Sequence, residues 1–149
     1  LDGSKLGENA LSYVEGMISR MAPGEKVAII LLHVITKVRH DLTLQGAEEV
    51  VSVPYTEEEI AKMKDGATDY LNKVSDGLQN EKLTVTCKVS VSANPADEII
   101  KTEEELNADL VAMSTHGRGG ISRFALGSIA DKVMRGGTVP VLMVRANKA

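Results

Sequence analysis

Val27 to Val34 reads Val-Ala-Ile-Ile-Leu-Leu-His-Val, apolar at every position but one and rich in branched side chains. A strand covered on one side alternates polar and apolar residues. A strand apolar on both sides must be covered on both, which is the mark of a parallel sheet inside helical layers. This run therefore predicts an α/β fold.

The rest of the chain alternates accordingly. Leu6, Ala10, Leu11, Val14, Met17, Ile18 and Met21 fall at helical spacing, and Pro23-Gly24 stops them. Residues 36–55 are mixed and polar and read as a variable loop. Thr56, with Glu59 three residues on, forms a capping box. The stripe Ile60, Met63, Ala67, Tyr70, Leu71, Val74 and Leu78 carries the next helix to about Gln79. Thr84 to Val91 is a strand in which Cys87 takes a core position. Pro95 opens a helix continued by Ile99, Ile100 and Leu106. Leu110 to Met113 is a strand, Ser128 to Arg135 a short helix ended by Gly136-Gly137, and Pro140 to Val144 a final strand. The acidic segments Glu57-Glu58-Glu59 and Glu103-Glu104-Glu105 read as solvated helix faces, and the methionines as mainly core. Strands alternating with helices imply right-handed crossovers and a parallel sheet with helices on both faces.

The chain of 149 residues fits a single domain, 1–149. A net charge of −4 argues against general affinity for nucleic acid or an anionic membrane. No run approaches the roughly 18 apolar residues of a membrane span. The one cysteine, Cys87, forms no internal disulfide and suits a reducing cytoplasm. His33, His40 and His116 lack metal-ligand spacing.

Ligands of parallel sheets bind beyond the carboxyl ends of the strands. The strand ending at Met113 runs into Ser114-Thr115-His116-Gly117-Arg118-Gly119-Gly120, and Gly127-Ser128 opens the next helix. Strand, glycine-rich loop and helix start offer backbone N–H groups and a positive helix end to an anion, usually a phosphate. Ser128 is expected to cap the helix, with Asp131 completing a capping box. Arg118 and Arg123 flank the loop and can pair with phosphate oxygens or remain solvated; His116 can donate to a phosphate or hold the loop. There is no Gly-Lys-Ser/Thr sequence, so this is not a Walker A loop. Asp2 can accept from an adenine amino group or a ribose hydroxyl, or cap the following turn. His33 reads as a core-edge residue. Ser114, Ser122 and Ser128 have no evident base partner, so no catalytic set is assigned.

These residues resemble the universal stress protein family. The likeness spans nearly the whole chain: Leu1-Asp2-Gly3-Ser4, Leu31-Leu32-His33-Val34, Asn94-Pro95-Ala96-Asp97-Glu98-Ile99, Ala108-Asp109-Leu110-Val111-Ala112-Met113, Gly127-Ser128-Ile129-Ala130-Asp131-Lys132-Val133 and Val139-Pro140-Val141-Leu142-Met143-Val144. The resemblance implies a five-stranded parallel sheet of order 3-2-1-4-5 (Rossmann-like, of the adenine nucleotide alpha hydrolase type). In that family an apolar first strand stands directly before the position of Asp2, and this sequence begins after it. The resemblance thus predicts roughly six to eight residues upstream, enough for one strand.

The nucleotide-binding branch carries Gly-x-x-Gly, nine residues, then Gly-Ser/Thr. Gly117, nine residues and Gly127-Ser128 match, while Ser114 replaces the first glycine. The family implies that Asp2 and Val34 flank adenine and that Met113, Ser114 and Gly117 line ribose and phosphates, with His116 and Arg118 in the same loop. Gly127, Ser128 and Ile129 would supply donors to the phosphates. The implied ligand is ATP, with Mg²⁺ or Mn²⁺ carried by the phosphates. The implied assembly is a homodimer through the final strand, Val139 to Val144, in a cytoplasmic nucleotide-responsive switch with at most slow ATP hydrolysis. Alternatives are a nucleotide-independent relative working through an unidentified protein partner, an AMP or cyclic AMP binder, or a true ATPase or transferase.

Overall fold

The computed structural model describes residues 1–21, 24–36, 39–43, 50–78, 81–115 and 127–145, with backbone alone at 40–43, 50 and 51. In chain order the elements are α1 (Lys5–Met21), β1 (Val27–Ile35), β2 (Arg39–Thr43), β3 (Val50–Pro54), α2 (Glu57–Leu78), β4 (Leu83–Val91), α3 (Pro95–Glu105), β5 (Val111–Ser114), α4 (Ser128–Gly136) and β6 (Val141–Val144).

Local chemistry explains where the helices start. Thr56 and Glu59 form the expected capping box. The Glu59 carboxylate accepts from the Thr56 N–H (2.8 Å) and hydroxyl (2.9 Å), and the Thr56 hydroxyl accepts from the Glu59 N–H at 3.2 Å. Ser4 caps α1 by accepting the Gly7 N–H at 3.0 Å. Pro95 takes the first turn of α3, where its missing N–H costs nothing. The start of α4 departs from the capping box expected of Ser128 and Asp131. Gly127 is the N-cap, no side chain among the described residues caps the helix, and Asp131 instead pairs with Arg135 at 2.9 Å, one turn on. An i,i+4 ion pair holds that carboxylate on the helix surface.

The strands form two parallel ladders and one hairpin. β1 pairs with β4 from Val27↔Leu83 to Ile35↔Val91, and β5 pairs with β6 from Val111↔Val141 to Ser114↔Val144. The Val27 N–H donates to the Lys82 carbonyl and the Ser92 N–H to that of Ile35. Backbone groups alternate sides along a strand, so Ala28, Ile30, Leu32 and Val34 turn theirs to the edge away from β4. There the Leu32 carbonyl accepts from the Leu1 amino nitrogen at 2.7 Å. The same alternation turns Ala112 and Ser114 of β5 away from β6. α2 packs on β1 and β4, α1 on β5 and β6, and α3 on β1 and α4. Parallel strands and four helices thus bear out an α/β fold.

Residues 36–55 are not simply a loop. β2 and β3 form an antiparallel hairpin, with Arg39↔Pro54 at its base and Thr43↔Val50 at its tip. Three valines in four positions, Val50, Val51 and Val53, are the β-branched signal that outweighs the polar composition.

The core centres on Leu31, Leu71 and Leu78, with Ile29, Val85, Cys87 and Val89 packed against it. Burial pushes the Cys87 thiol above its ordinary range, as suits a residue packed as a small hydrophobe. Two expectations about the surface are corrected. Met21, the last residue of α1, is 79% exposed, and Met134 of α4 is exposed as well. Glu103 is 3% exposed rather than solvated. It stands one turn beyond Ile99 and Ile100 and two beyond Ala96 on the inner side of α3, and its carboxylate accepts the Thr138 N–H at 2.6 Å. That charge-assisted bond fixes the turn leading from α4 into β6.

Candidate functional site

A backbone hydrogen bond ties the carboxyl end of β5 to the start of α4. The Gly127 N–H donates to the Thr115 carbonyl at 3.0 Å, and the Thr115 N–H donates to the Val144 carbonyl of β6 at 2.8 Å. A β-carbon at Gly127 would stand 2.9 Å from the Thr115 carbonyl oxygen. Its φ of −59° and ψ of 144° suit any residue, so space requires the glycine here, not conformation.

This junction has an electrostatic consequence. The first intrahelical bond of α4 runs from the Asp131 N–H to the Gly127 carbonyl. The N–H groups of Ser128, Ile129 and Ala130 have no partner within the helix, and its glycine N-cap offers no side chain to them. They stand at the positive end of the helix dipole, beyond the carboxyl end of a parallel strand. Ile129 is exposed beside them. Met113 and Ser114 form the last turn of β5, half-buried, with the Ser114 hydroxyl donating to the Val144 carbonyl at 3.4 Å. His116, Gly117, Arg118 and Arg123 lie outside the described residues.

Asp2 and Val34 come from the other ladder. Val34 is the penultimate residue of β1, and Asp2 follows Leu1, whose nitrogen is bound to Leu32. Asp2 caps the turn into α1: its Oδ1 accepts the Ser4 N–H at 3.1 Å and the Ser4 hydroxyl at 2.7 Å. α1 then packs on β5, tying this corner to the strand that ends at Ser114.

Sequence reasoning placed Tyr70 in an apolar stripe and missed its hydroxyl. The Tyr70 O–H donates to Glu8 Oε1 at 2.9 Å, joining α2 to α1, and the ring meets His33 edge-on with centroids 5.9 Å apart. His33 itself is buried near the end of β1, as its place in the strand predicts. Burial first, then the bond to Glu8 and the charge of Glu8, hold the Tyr70 phenol well above its ordinary range. The folded value exceeds the unfolded one, so the stabilisation is whole below about pH 10 and is lost as pH rises beyond it. An alkaline absorbance titration of the native protein should show a late tyrosinate step that Tyr70→Phe removes. A titration unchanged by that substitution would contradict this environment.

The groove between α1 and α2, about 530 Å³, is lined by Glu8, Leu11, Glu15, Tyr70, Lys73 and Val74. Two carboxylates against one ammonium do not suit a phosphate, so the anion-binding features lie at the strand ends, not here. Among the described residues no group of His, Cys, Asp or Glu is placed to hold a metal, and no helix is long and apolar enough to cross a membrane.

Parallel ladders, the helices packed on them and a helix N-terminus against a strand's carboxyl end define an α/β protein. The model of the universal stress protein family matches residues 1–145. The chain belongs to the universal stress protein family. Universal stress protein MJ0531 of Methanocaldococcus jannaschii is 28% identical over 147 residues, 99% of this chain and 79% of that one. MJ0577 of the same organism is 28% identical over 151 residues, covering 97% and 90%. The solved structure of MJ0577 aligns with a TM-score of 0.73 at 25% identity, over 98% of this chain and 92% of that one. A universal stress protein solved in complex with cAMP aligns with a TM-score of 0.58 at 18% identity, over 99% and 93%, a likeness of fold.

Proposed function

We propose that the chain binds an adenine nucleotide, ATP foremost, at the end of β5 and the start of α4, and acts as a dimeric nucleotide-responsive switch in the cytoplasm. The observation that carries this reading is the N-terminus of α4, whose glycine N-cap makes no side-chain cap hydrogen bond. Its Ser128, Ile129 and Ala130 N–H groups lack helical partners. Gly127, Ser128 and Ile129 bind the phosphates, and Met113 and Ser114 lie along the ribose. The reading also assigns His116, Gly117 and Arg118 to nucleotide binding. Asp2 and Val34 flank the base. When bound, ATP brings the phosphate charge together with Mg²⁺ or Mn²⁺; the chain's own residues bind and orient. No residue of the site is assigned as a base, so turnover should stay below about one per second.

The reading includes one parallel sheet of order 3-2-1-4-5 within a single domain, 1–149, helices covering both faces. In the present labels β4-β1 and β5-β6 take four of the places in that order. The backbone groups of Ala28, Ile30, Leu32, Val34, Ala112 and Ser114, turned away from their own ladders, support it. β6 then forms the sheet edge, and pairing of Val139 to Val144 with a second copy removes an exposed apolar edge.

Cyclic AMP is the second reading, favoured by the fold shared with the relative solved in complex with cAMP. Calorimetric titration with ATP, ADP, AMP and cyclic AMP tests both. Tightest binding of ATP supports the main reading, and tightest binding of cyclic AMP the second. Absence of heat with all four, on a folded sample, overturns both in favour of function through protein contacts alone.

A further inference from the structure

Building on that nucleotide reading, we propose that Gly7 and Ser4, at the start of α1, are positioning residues that set Asp2 for adenine and so make the site prefer ATP over a triphosphate whose base lacks a 6-amino group. Asp2 precedes the helix, and its Oδ1 lies against the first turn. Ser4 donates to that oxygen twice, from its N–H at 3.1 Å and from its hydroxyl at 2.7 Å. The same hydroxyl accepts the Gly7 N–H at 3.0 Å. One serine thus links the helix backbone to the carboxylate, its hydroxyl acting as donor and acceptor at once.

Gly7 supplies the space. A β-carbon there would run into Asp2 Oδ1 and would stand 3.3 Å from the Ser4 hydroxyl oxygen. Gly7 is the third residue of α1, where alanine is the better helix former. The helix itself gives no reason for a glycine; the carboxylate resting against it does. With a side chain at position 7 the helix backbone stays, and the carboxylate, the far end of a rotatable side chain, swings away. An ionised carboxylate accepts hydrogen bonds and cannot donate them. Aimed at the base, it accepts from the 6-amino group of adenine and repels a 6-oxo group. Displaced, it does neither, while the phosphates bound at α4 keep their donors.

The test measures affinities for ATP and for inosine triphosphate, whose base carries a 6-oxo group, by calorimetry beside a thermal melt. Gly7→Ala should weaken ATP on the order of tenfold, the worth of one hydrogen bond to a charged group. It should leave inosine triphosphate within about twofold and should not lower the melting point. Ser4→Ala, an independent variant, should reduce the preference for ATP in the same direction, and Ser4→Thr, which keeps the hydroxyl, should retain it. A preference for ATP unchanged by Gly7→Ala or by Ser4→Ala, whether both affinities hold or both fall together, would show a merely structural role and overturn the proposal. An unmodified chain that binds the two triphosphates equally also overturns it and leaves the nucleotide reading standing. An unmodified chain that binds neither overturns both.

Discussion

Gly127→Val is expected to abolish adenine nucleotide binding, lowering affinity on the order of 100-fold or more. A β-carbon there stands 2.9 Å from the Thr115 carbonyl oxygen, which is backbone and cannot swing aside. Either the Gly127–Thr115 hydrogen bond breaks or α4 withdraws from β5. In both cases the Ser128 and Ile129 N–H groups leave the positions from which they meet a phosphate. Two charge-assisted bonds are at stake, each worth about 1.5–3 kcal/mol, and each 1.4 kcal/mol is tenfold in affinity. The fold should survive, because the substituted backbone conformation suits any residue and overpacking typically costs about 1–3 kcal/mol. Calorimetry with ATP beside a thermal melt separates the effects. A folded Gly127→Val chain with unchanged ATP affinity would remove α4 from the site.

The second large effect is on stability. Leu71→Ala should cost about 2–5 kcal/mol, the range for emptying a closed leucine site. Leu71 is fully buried on α2 between Leu31 of β1 and the rest of the core. Those strands and helices are already fixed by backbone pairing, so the cavity has little room to collapse. Urea unfolding should show a lower midpoint with an unchanged slope. Met21→Ala serves as the contrast: at 79% exposure its effect should stay within about 0.5 kcal/mol. Similar losses from both would mean that α2 is not packed as described.

What the sequence made legible was local. The Thr56–Glu59 box needs two residues three apart, and it formed as expected. The apolar run at Val27 pointed to a strand of a parallel sheet, and β1 does pair in parallel with β4. Long-range contacts were hidden. Glu103 is next to two other glutamates and looked solvated; only its spacing from Ala96, Ile99 and Ile100 marked it as inward-facing. The Tyr70–Glu8 bond spans 62 residues and leaves no local trace. At Gly127-Ser128 the serine looked like the cap, but the glycine took that place because only it fits against the Thr115 carbonyl. Of the candidate site, Val34, Met113, Ser114, Gly127, Ser128 and Ile129 fall at strand ends or a helix start, and Asp2 lies in the turn before α1. His116, Gly117 and Arg118 lie outside the described residues.

The most direct measurement is an NMR titration of the ¹⁵N-labelled chain with ATP and Mg²⁺. The account predicts that the largest shifts fall on Ser114, Gly127, Ser128 and Ile129, with a second group at Asp2, Gly3 and Val34. Shifts confined to the α1–α2 groove, or none at saturating ATP on a folded sample, would contradict it.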